Sequence, residues 1–257
     1  MQIAVIGAGA IGRYVISRLQ RDGLGPAAVI LRNPAQVELG CPAVGTVAAL
    51  PPGITHLVDC AGHPGLIAHG PAALARGIDV VTVSLGALAD DALAARLTEA
   101  AAAGQARLHL ASGSVGGLDV LRAGAVGGLS RVRYTGRKQP AAWRGSPAET
   151  RLDLDRLTAP AIHFQGSARQ AALAYPKNAN VAAAVALAGL GFDATEVQLI
   201  ADPAAPGNLH EVEAEGAFGR FRIEIMGAPL PDNPKSSGLA AMSVLAELRR
   251  LAARVSG

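Results

Sequence analysis

The sequence predicts an α/β protein built from an N-terminal doubly wound parallel sheet and a second, α+β domain, with a C-terminal helix packing back on the first. Three observations predict it. The chain opens on an apolar run, IAVIG, that passes straight into an amphipathic helical pattern. Similar apolar runs recur up to residue 113 between Ala-rich helical stretches, as expected of a parallel sheet buried on both faces. Beyond residue 119 the rhythm becomes an apolar/polar alternation punctuated by glycine turns.

Five strands are predicted in the first part: IAVIG from Ile3, AAVILRN around Val29 to Leu31, THLVDCAG around Leu57 to Cys60, DVVTVSLG over 79–86 and ARLHLASG over 106–113. Between the last two, LADDALAARLTEAAAAG reads as a helix with Asp90 and Asp91 near its start and Gly104 at its end. The domains are predicted as 1–118, 119–234 and a returning helix over 235–257. In the second part, Val132 and Tyr134 alternate like a strand, VQLIADP supplies another over 197–203, and HEVEAEG with GRFRIEIMG forms a hairpin joined at 216–219. PKNANVAAAVALAGLG is a helix of small residues with an Asn at its start and Gly189 or Gly191 at its stop. The last segment is amphipathic, with Arg249, Arg250 and Arg254 late in it.

Gly7, Gly9 and Gly12 follow the first strand at the spacing of a dinucleotide-binding turn, which predicts a Rossmann domain. Gly7 lets the chain turn sharply, Gly9 lets backbone approach a pyrophosphate, and Gly12 lets helix and strand pack closely. The amides of Ala10, Ile11 and Gly12, at the positive end of the helix dipole, then face the phosphates. The alternative is a tight turn with no ligand. Ligands of such sheets collect outside the carboxyl ends of the strands, so segments 7–12, Arg32 with Asn33, 61–64, 84–86 and 112–117 are expected to share one crevice. Ala61, His63 and Ser84 are cofactor candidates on that ground. Arg32 stands 20 residues after Gly12, where an acidic side chain would take the ribose 2′-hydroxyl of NAD. An arginine there pairs with a 2′-phosphate, so NAD or NADP is expected with a leaning to NADP; the alternative is an arginine that lies along the strand end.

Composition narrows the classes. With 257 residues, 50% hydrophobic and 3% aromatic, the chain can bury two cores of small residues. Its net charge of +3 and pI near 9.2 come from scattered arginines without interleaved aromatics, so no nucleic-acid partner is expected. The two cysteines, Cys41 and Cys60, imply neither a disulfide framework nor a metal site. No uncharged apolar run reaches about 18 residues and none resembles a leader peptide, so no membrane partner and a cytoplasmic location are expected.

Of the six histidines, His56, His69, His109 and His163 read as structural. His63 either touches the nicotinamide side of the crevice or caps a turn. His210 opens the hairpin after an irregular PAAPGN turn, and an imidazole there suits proton exchange with an amine, imine or hydroxyl; a structural role is the alternative.

Five segments, SGSVGGLDVL over 112–121, KQPAAWRGSPAE over 138–149, GSARQAALAYPKNANVAAAVALAG over 166–189, NLHEVEAEGAFGRFRIEI over 208–225 and NPKSS over 233–237, closely resemble the L-aspartate dehydrogenase family. The likeness runs from the first glycine loop to the final helix. It implies an α+β catalytic domain, oxidation of L-aspartate to iminoaspartate with NAD or NADP, and an imine that hydrolyses to oxaloacetate and ammonia or feeds NAD biosynthesis. By motif, His210 matches the family's active-site histidine and Asn180 a cofactor-contacting asparagine. Ser114 stands where the family has a cofactor-contacting alanine, a change that a backbone contact survives. The substrate carboxylates need cationic or amide partners, and Arg144, Arg169, Lys177 and Lys235 lie within the shared motifs. A homodimer is expected. The rivals are a homoserine-, dihydrodipicolinate- or imine-type oxidoreductase and a non-catalytic NADP-sensing protein.

Overall fold

A computed structural model describes residues 1–34, 39–176, 178–230 and 233–255, the side chains of 234 and 235 excepted. The chain divides into two compact units, one made of Met1–Gly113 and Leu230–Gly257, the other of Ser114–Pro229.

In the first unit, β1 (Ile3–Ile6), α1 (Ala10–Arg21), β2 (Ala28–Ile30), β3 (Ala43–Val44), β4 (His56–Asp59), α2 (His63–Leu74), β5 (Asp79–Thr82), α3 (Asp91–Gly104) and β6 (Leu108–Leu110) follow in sequence. Their strands form one parallel sheet of order β3-β2-β1-β4-β5-β6. β1 and β2 are buried throughout, which is why they read as continuous apolar runs. The order reverses between β1 and β4, the point at which such sheets open a crevice. The sixth strand, β3, has no counterpart among the five predicted; two residues are too few to show a period. α1 buries Gly12, Val15, Ile16 and Leu19, a stripe at helical spacing. α3 starts at Asp90, whose carboxylate accepts the amides of Ala92 and Leu93, and it stops where Gln105 turns left-handed at φ 54°.

The second unit carries α4 (Leu118–Gly127), β7 (Leu129–Lys138), β8 (Ala161–Ser167), α5 (Ala168–Ala174), α6 (Asn180–Ala188), α7 (Gly191–Ala194), β9 (Glu196–Ala201), β10 (Asn208–Gly216) and β11 (Gly219–Gly227). The mixed sheet has the order β11-β10-β7-β9-β8, with only β7 and β9 parallel. Period-two alternation sorts its side chains. Val132, Tyr134, Val197, Leu199, His210, Val212 and Ala214 are buried, whereas Arg131 and Arg133 pair with Glu196, and Arg222 with Glu211, among the intervening residues. α6 buries seven small residues from Val181 to Ala188.

The chain then forms a short pair, β12 (Pro229–Leu230) and β13 (Asn233–Ser237), and ends in α8 (Gly238–Ala252). Val244, Leu245 and Leu248 of α8 pack with Val5, Val15, Ile16 and Leu19, and Arg249 pairs with Asp22 at the end of α1 at 2.8 Å. The C-terminal helix therefore belongs to the first core, as its amphipathic pattern predicts.

Candidate active site

In the first unit, a cavity of about 640 Å³ lies at the carboxyl ends of β1, β2 and β4, lined among others by Gly7, Gly9, Arg32, Ala61, Pro64 and His69. The glycines act differently there. Gly7 has φ +86° and a Cβ on it would sit 2.9 Å from Ala61 Cβ, while a Cβ on Gly12 would lie 2.1 Å from the Gly7 carbonyl oxygen. A Cβ on Gly9 would meet nothing within 4 Å. Gly7 and Gly12 thus let the protein close on itself, and Gly9 leaves open the space over the start of α1. The first amides of α1 have no intrahelical acceptor and Gly9 supplies no side-chain cap. Open space, free amides and the positive end of a helix dipole fit a dinucleotide pyrophosphate.

Of the other cofactor candidates in this unit, Ala10, Ile11 and Gly12 form the first turn of α1, Asn33 follows Arg32 at an exposed position, and His63 is the first residue of α2 behind Gly62. Ser84 is fully buried, and its hydroxyl donates to Asp59 at 2.6 Å. Thr82 donates to the same carboxylate at 2.8 Å and the Ala61 amide at 3.0 Å, so Ser84 ties β4 to β5 rather than offering its side chain to the crevice. Burial pushes the Asp59 carboxyl up, and these hydrogen bonds oppose the shift. His69 was read as structural yet lines the cavity; Pro64, Gly65, Ala68 and His69 recur at helical spacing on one face of α2, which was a legible signal.

The second unit holds a buried polar cluster around His210. His210 is 4% exposed, and its Nδ1 lies 2.8 Å from the Tyr134 hydroxyl. Pairing of His210 with Gly136 explains this contact. Tyr134 stands two residues before Gly136 on the same face of β7, and a Cβ at 136 would come within 2.7 Å of its hydroxyl. The missing side chain lets the phenol run along the strand to the imidazole. Burial, reinforced by the charge of Lys138, lowers the His210 pKa to about 4, so the ring is neutral at pH 7.

Lys138 ends β7 at 9% exposure, donates to Asn178 Oδ1 at 3.0 Å and sits 5.1 Å above the Trp143 ring. Burial lowers its pKa to about 8. Trp143 meets His163 edge-on at 4.3 Å between ring centres and donates to the Ile200 carbonyl at 3.1 Å. His163 Nδ1 lies 3.2 Å from the Tyr175 hydroxyl, and burial lowers its pKa to about 4, with Arg151 and Lys138 adding to the effect. Lys138, His163, Tyr134 and Asn178 were not candidates on sequence. Yet Lys138 is the one charge on the face Val132, Tyr134, Gly136, Lys138, and that was readable.

The predicted substrate cations are placed unevenly. Arg169 pairs through two hydrogen bonds, 2.7 and 2.9 Å long, with the exposed Asp193, and Arg144 pairs with Asp155. Both guanidiniums are thus engaged by surface carboxylates. Lys177 lies outside the described residues, and Lys235 falls within β13. Ser114, buried, begins the second unit, and Asn180 opens α6. Among the described residues no group of three or more His, Cys, Asp or Glu could hold a metal ion, and no helix is long and apolar enough to cross a membrane.

Comparison with known proteins agrees with both units. Residues 7–111 match the family described as "Homoserine dehydrogenase, NAD binding domain" and residues 119–251 the one described as "Aspartate dehydrogenase, C-terminal". The cofactor is accordingly a pyridine nucleotide. An L-aspartate dehydrogenase of Ruegeria pomeroyi is 54% identical, covering 99% of this chain and 94% of its own, and one of Pseudomonas aeruginosa is 46% identical, covering 100% and 99%. The crystal structure of aspartate dehydrogenase from Thermotoga maritima aligns with a TM-score of 0.81 at 26% identity, covering 100% of this chain and 99% of that one. A hyperthermophilic archaeal homoserine dehydrogenase, at TM-score 0.59 and 13% identity, shares the fold. With an open glycine turn in one unit, a buried neutral imidazole in the other and full-length relatives at this identity, the chain belongs to the L-aspartate dehydrogenase family.

Proposed function

We propose that this protein oxidises L-aspartate to iminoaspartate with a pyridine nucleotide, preferring NADP, and that the imine then hydrolyses to oxaloacetate and ammonia. The observation that carries the reading is His210, a histidine held neutral by burial and tethered through Nδ1 to Tyr134. When bound, a nicotinamide would supply the redox chemistry, as the acceptor for a hydride from the substrate α-carbon. The chain's own residues handle the proton and the charges. With Nδ1–H donated to the Tyr134 oxygen, His210 Nε2 carries the lone pair that takes a proton from the substrate ammonium. A hydroxyl both donates and accepts, so Tyr134 keeps Nδ1 paired in either direction of reaction.

The amides of Ala10, Ile11 and Gly12 and the open space over Gly9 would hold the pyrophosphate, with Ala61 beside them on the crevice wall. Arg32, exposed at the crevice edge, would pair with a 2′-phosphate and supports the NADP preference. Ser114 and Asn180 are further cofactor contacts in this reading, as their motif positions imply. A homodimer is part of the proposal.

The test is nicotinamide absorbance with L-aspartate plus NAD or NADP, and in reverse with oxaloacetate, ammonia and reduced cofactor. Turnover with L-aspartate and none with D-aspartate, glutamate or homoserine is expected. His210→Ala should abolish turnover while cofactor binding persists. Silence in both directions despite cofactor binding refutes the reading, and turnover of homoserine instead moves it to that class.

A further inference from the structure

Lys138 is a buried cation without a counter-ion: it is 9% exposed, and among the described residues its only hydrogen-bond partner is the neutral Asn178 amide. An ammonium has three donors, and burying its charge unpaired is costly unless something anionic arrives. A second observation points the same way. His163 Nε2 is buried and has no partner, in a side chain 3% exposed. Pairing in β8 skips this residue, Ile162 facing Ile200 and Phe164 facing Leu199, so His163 sits on a bulge that turns its ring inward beside Phe164. Trp143 links the two groups, lying under Lys138 Nζ and against the edge of His163. Lys138 also acts electrostatically on His210, the proposed acid–base group.

We propose that Lys138 and His163 form the anion subsite that holds a carboxylate of the substrate. The inference rests on reading the second unit as the amino-acid site of a dehydrogenase. The ammonium supplies the counter-charge through its unused donors. A bound carboxylate selects the His163 tautomer with the proton on Nε2, which the Tyr175 hydroxyl permits by donating to Nδ1. Arg144 and Arg169, already paired with Asp155 and Asp193, are not needed for that carboxylate.

Succinate, a dicarboxylate without an amino group, is the probe, titrated calorimetrically into the full chain. Lys138→Met should weaken its binding on the order of 100-fold, and His163→Asn on the order of 10-fold. A second readout needs no variant. At pH 8.5, above the lowered pKa of Lys138, wild-type binding should take up a proton, seen as a dependence of the heat on the buffer's ionisation enthalpy; at pH 6.5 the uptake should vanish. Absence of succinate binding, unchanged affinity in folded Lys138→Met, or no proton uptake at pH 8.5 overturns the subsite. L-aspartate turnover by the same samples separates the two claims. Turnover with unchanged succinate binding in Lys138→Met removes the subsite alone, whereas Lys138-dependent succinate binding without turnover removes the proposed function alone.

Discussion

Acid should destabilise the second unit through His210, by an amount the structure sets. Its pKa is about 4 in the folded chain and about 6.5 in the unfolded one. A histidine depressed in this way is neutral when folded, so between those values the unfolded chain binds the additional proton. The penalty is absent above pH 6.5 and grows as the pH falls towards 4. For one site, moving from pH 7 to pH 4.5 costs about 2 kcal/mol. Trp143, the only tryptophan, is fully buried in the same unit, so its fluorescence during urea unfolding reports the relevant transition. Wild type and His210→Gln should be compared at both pH values. The glutamine does not titrate, so whatever its offset at pH 7, the variant should lose about 2 kcal/mol less over the interval. Equal losses would mean that the fold does not hold His210 neutral, and the proton-accepting role at pH 7 would lose its physical basis.

Gly12→Ala should cost about 3 kcal/mol in urea unfolding, because its Cβ would lie 2.1 Å from a backbone oxygen. Gly9→Ala should leave stability within about 0.5 kcal/mol of wild type and weaken cofactor binding on the order of 10-fold, since its Cβ enters only the open space above α1. Arg32→Asp should weaken NADP on the order of 100-fold more than NAD in a fluorescence titration; equal effects would remove Arg32 as the selector. Asp59→Ala should destabilise the first unit by about 3 kcal/mol in thermal or urea unfolding, because the buried hydroxyls of Thr82 and Ser84 lose their acceptor.

The parts of the fold legible in the sequence were those with a sustained period or turn chemistry: the IAVIG strand with its glycines, the hairpin around Gly216 and Gly219, and the amphipathic final helix. β3 was missed because two residues carry no period, and β8 because its bulge at His163 buries neighbours and breaks the alternation. The candidate site followed the same division. Residues fixed by backbone geometry, such as Gly7 and Gly12, were readable from spacing alone. Ser84 was placed at the right strand end, but nothing in its neighbours announced that Asp59 would take its hydroxyl. Lys138 is readable as the one charge on the buried face of β7, but its enclosure is not, because Trp143 and Asn178 arrive from other elements, and the shared motifs point instead to Arg144, Arg169, Lys177 and Lys235.

The first unit is assembled from both ends of the chain, and this governs the order in which the protein can mature on the ribosome. Residues 114–229 emerge as an uninterrupted stretch and can fold as soon as β11 is out. The core of residues 1–113 must wait for residues 230–257 to be completed, because Val15, Ile16 and Leu19, which also pack with Val5 and Val29, lack the rest of their cover until Val244, Leu245 and Leu248 are synthesised. Throughout that interval its apolar stripe is exposed to chaperones or to other nascent chains. A frameshift or stop codon inside α8 would therefore damage a unit whose larger part is already made, leaving the unit of His210 with its internal contacts complete.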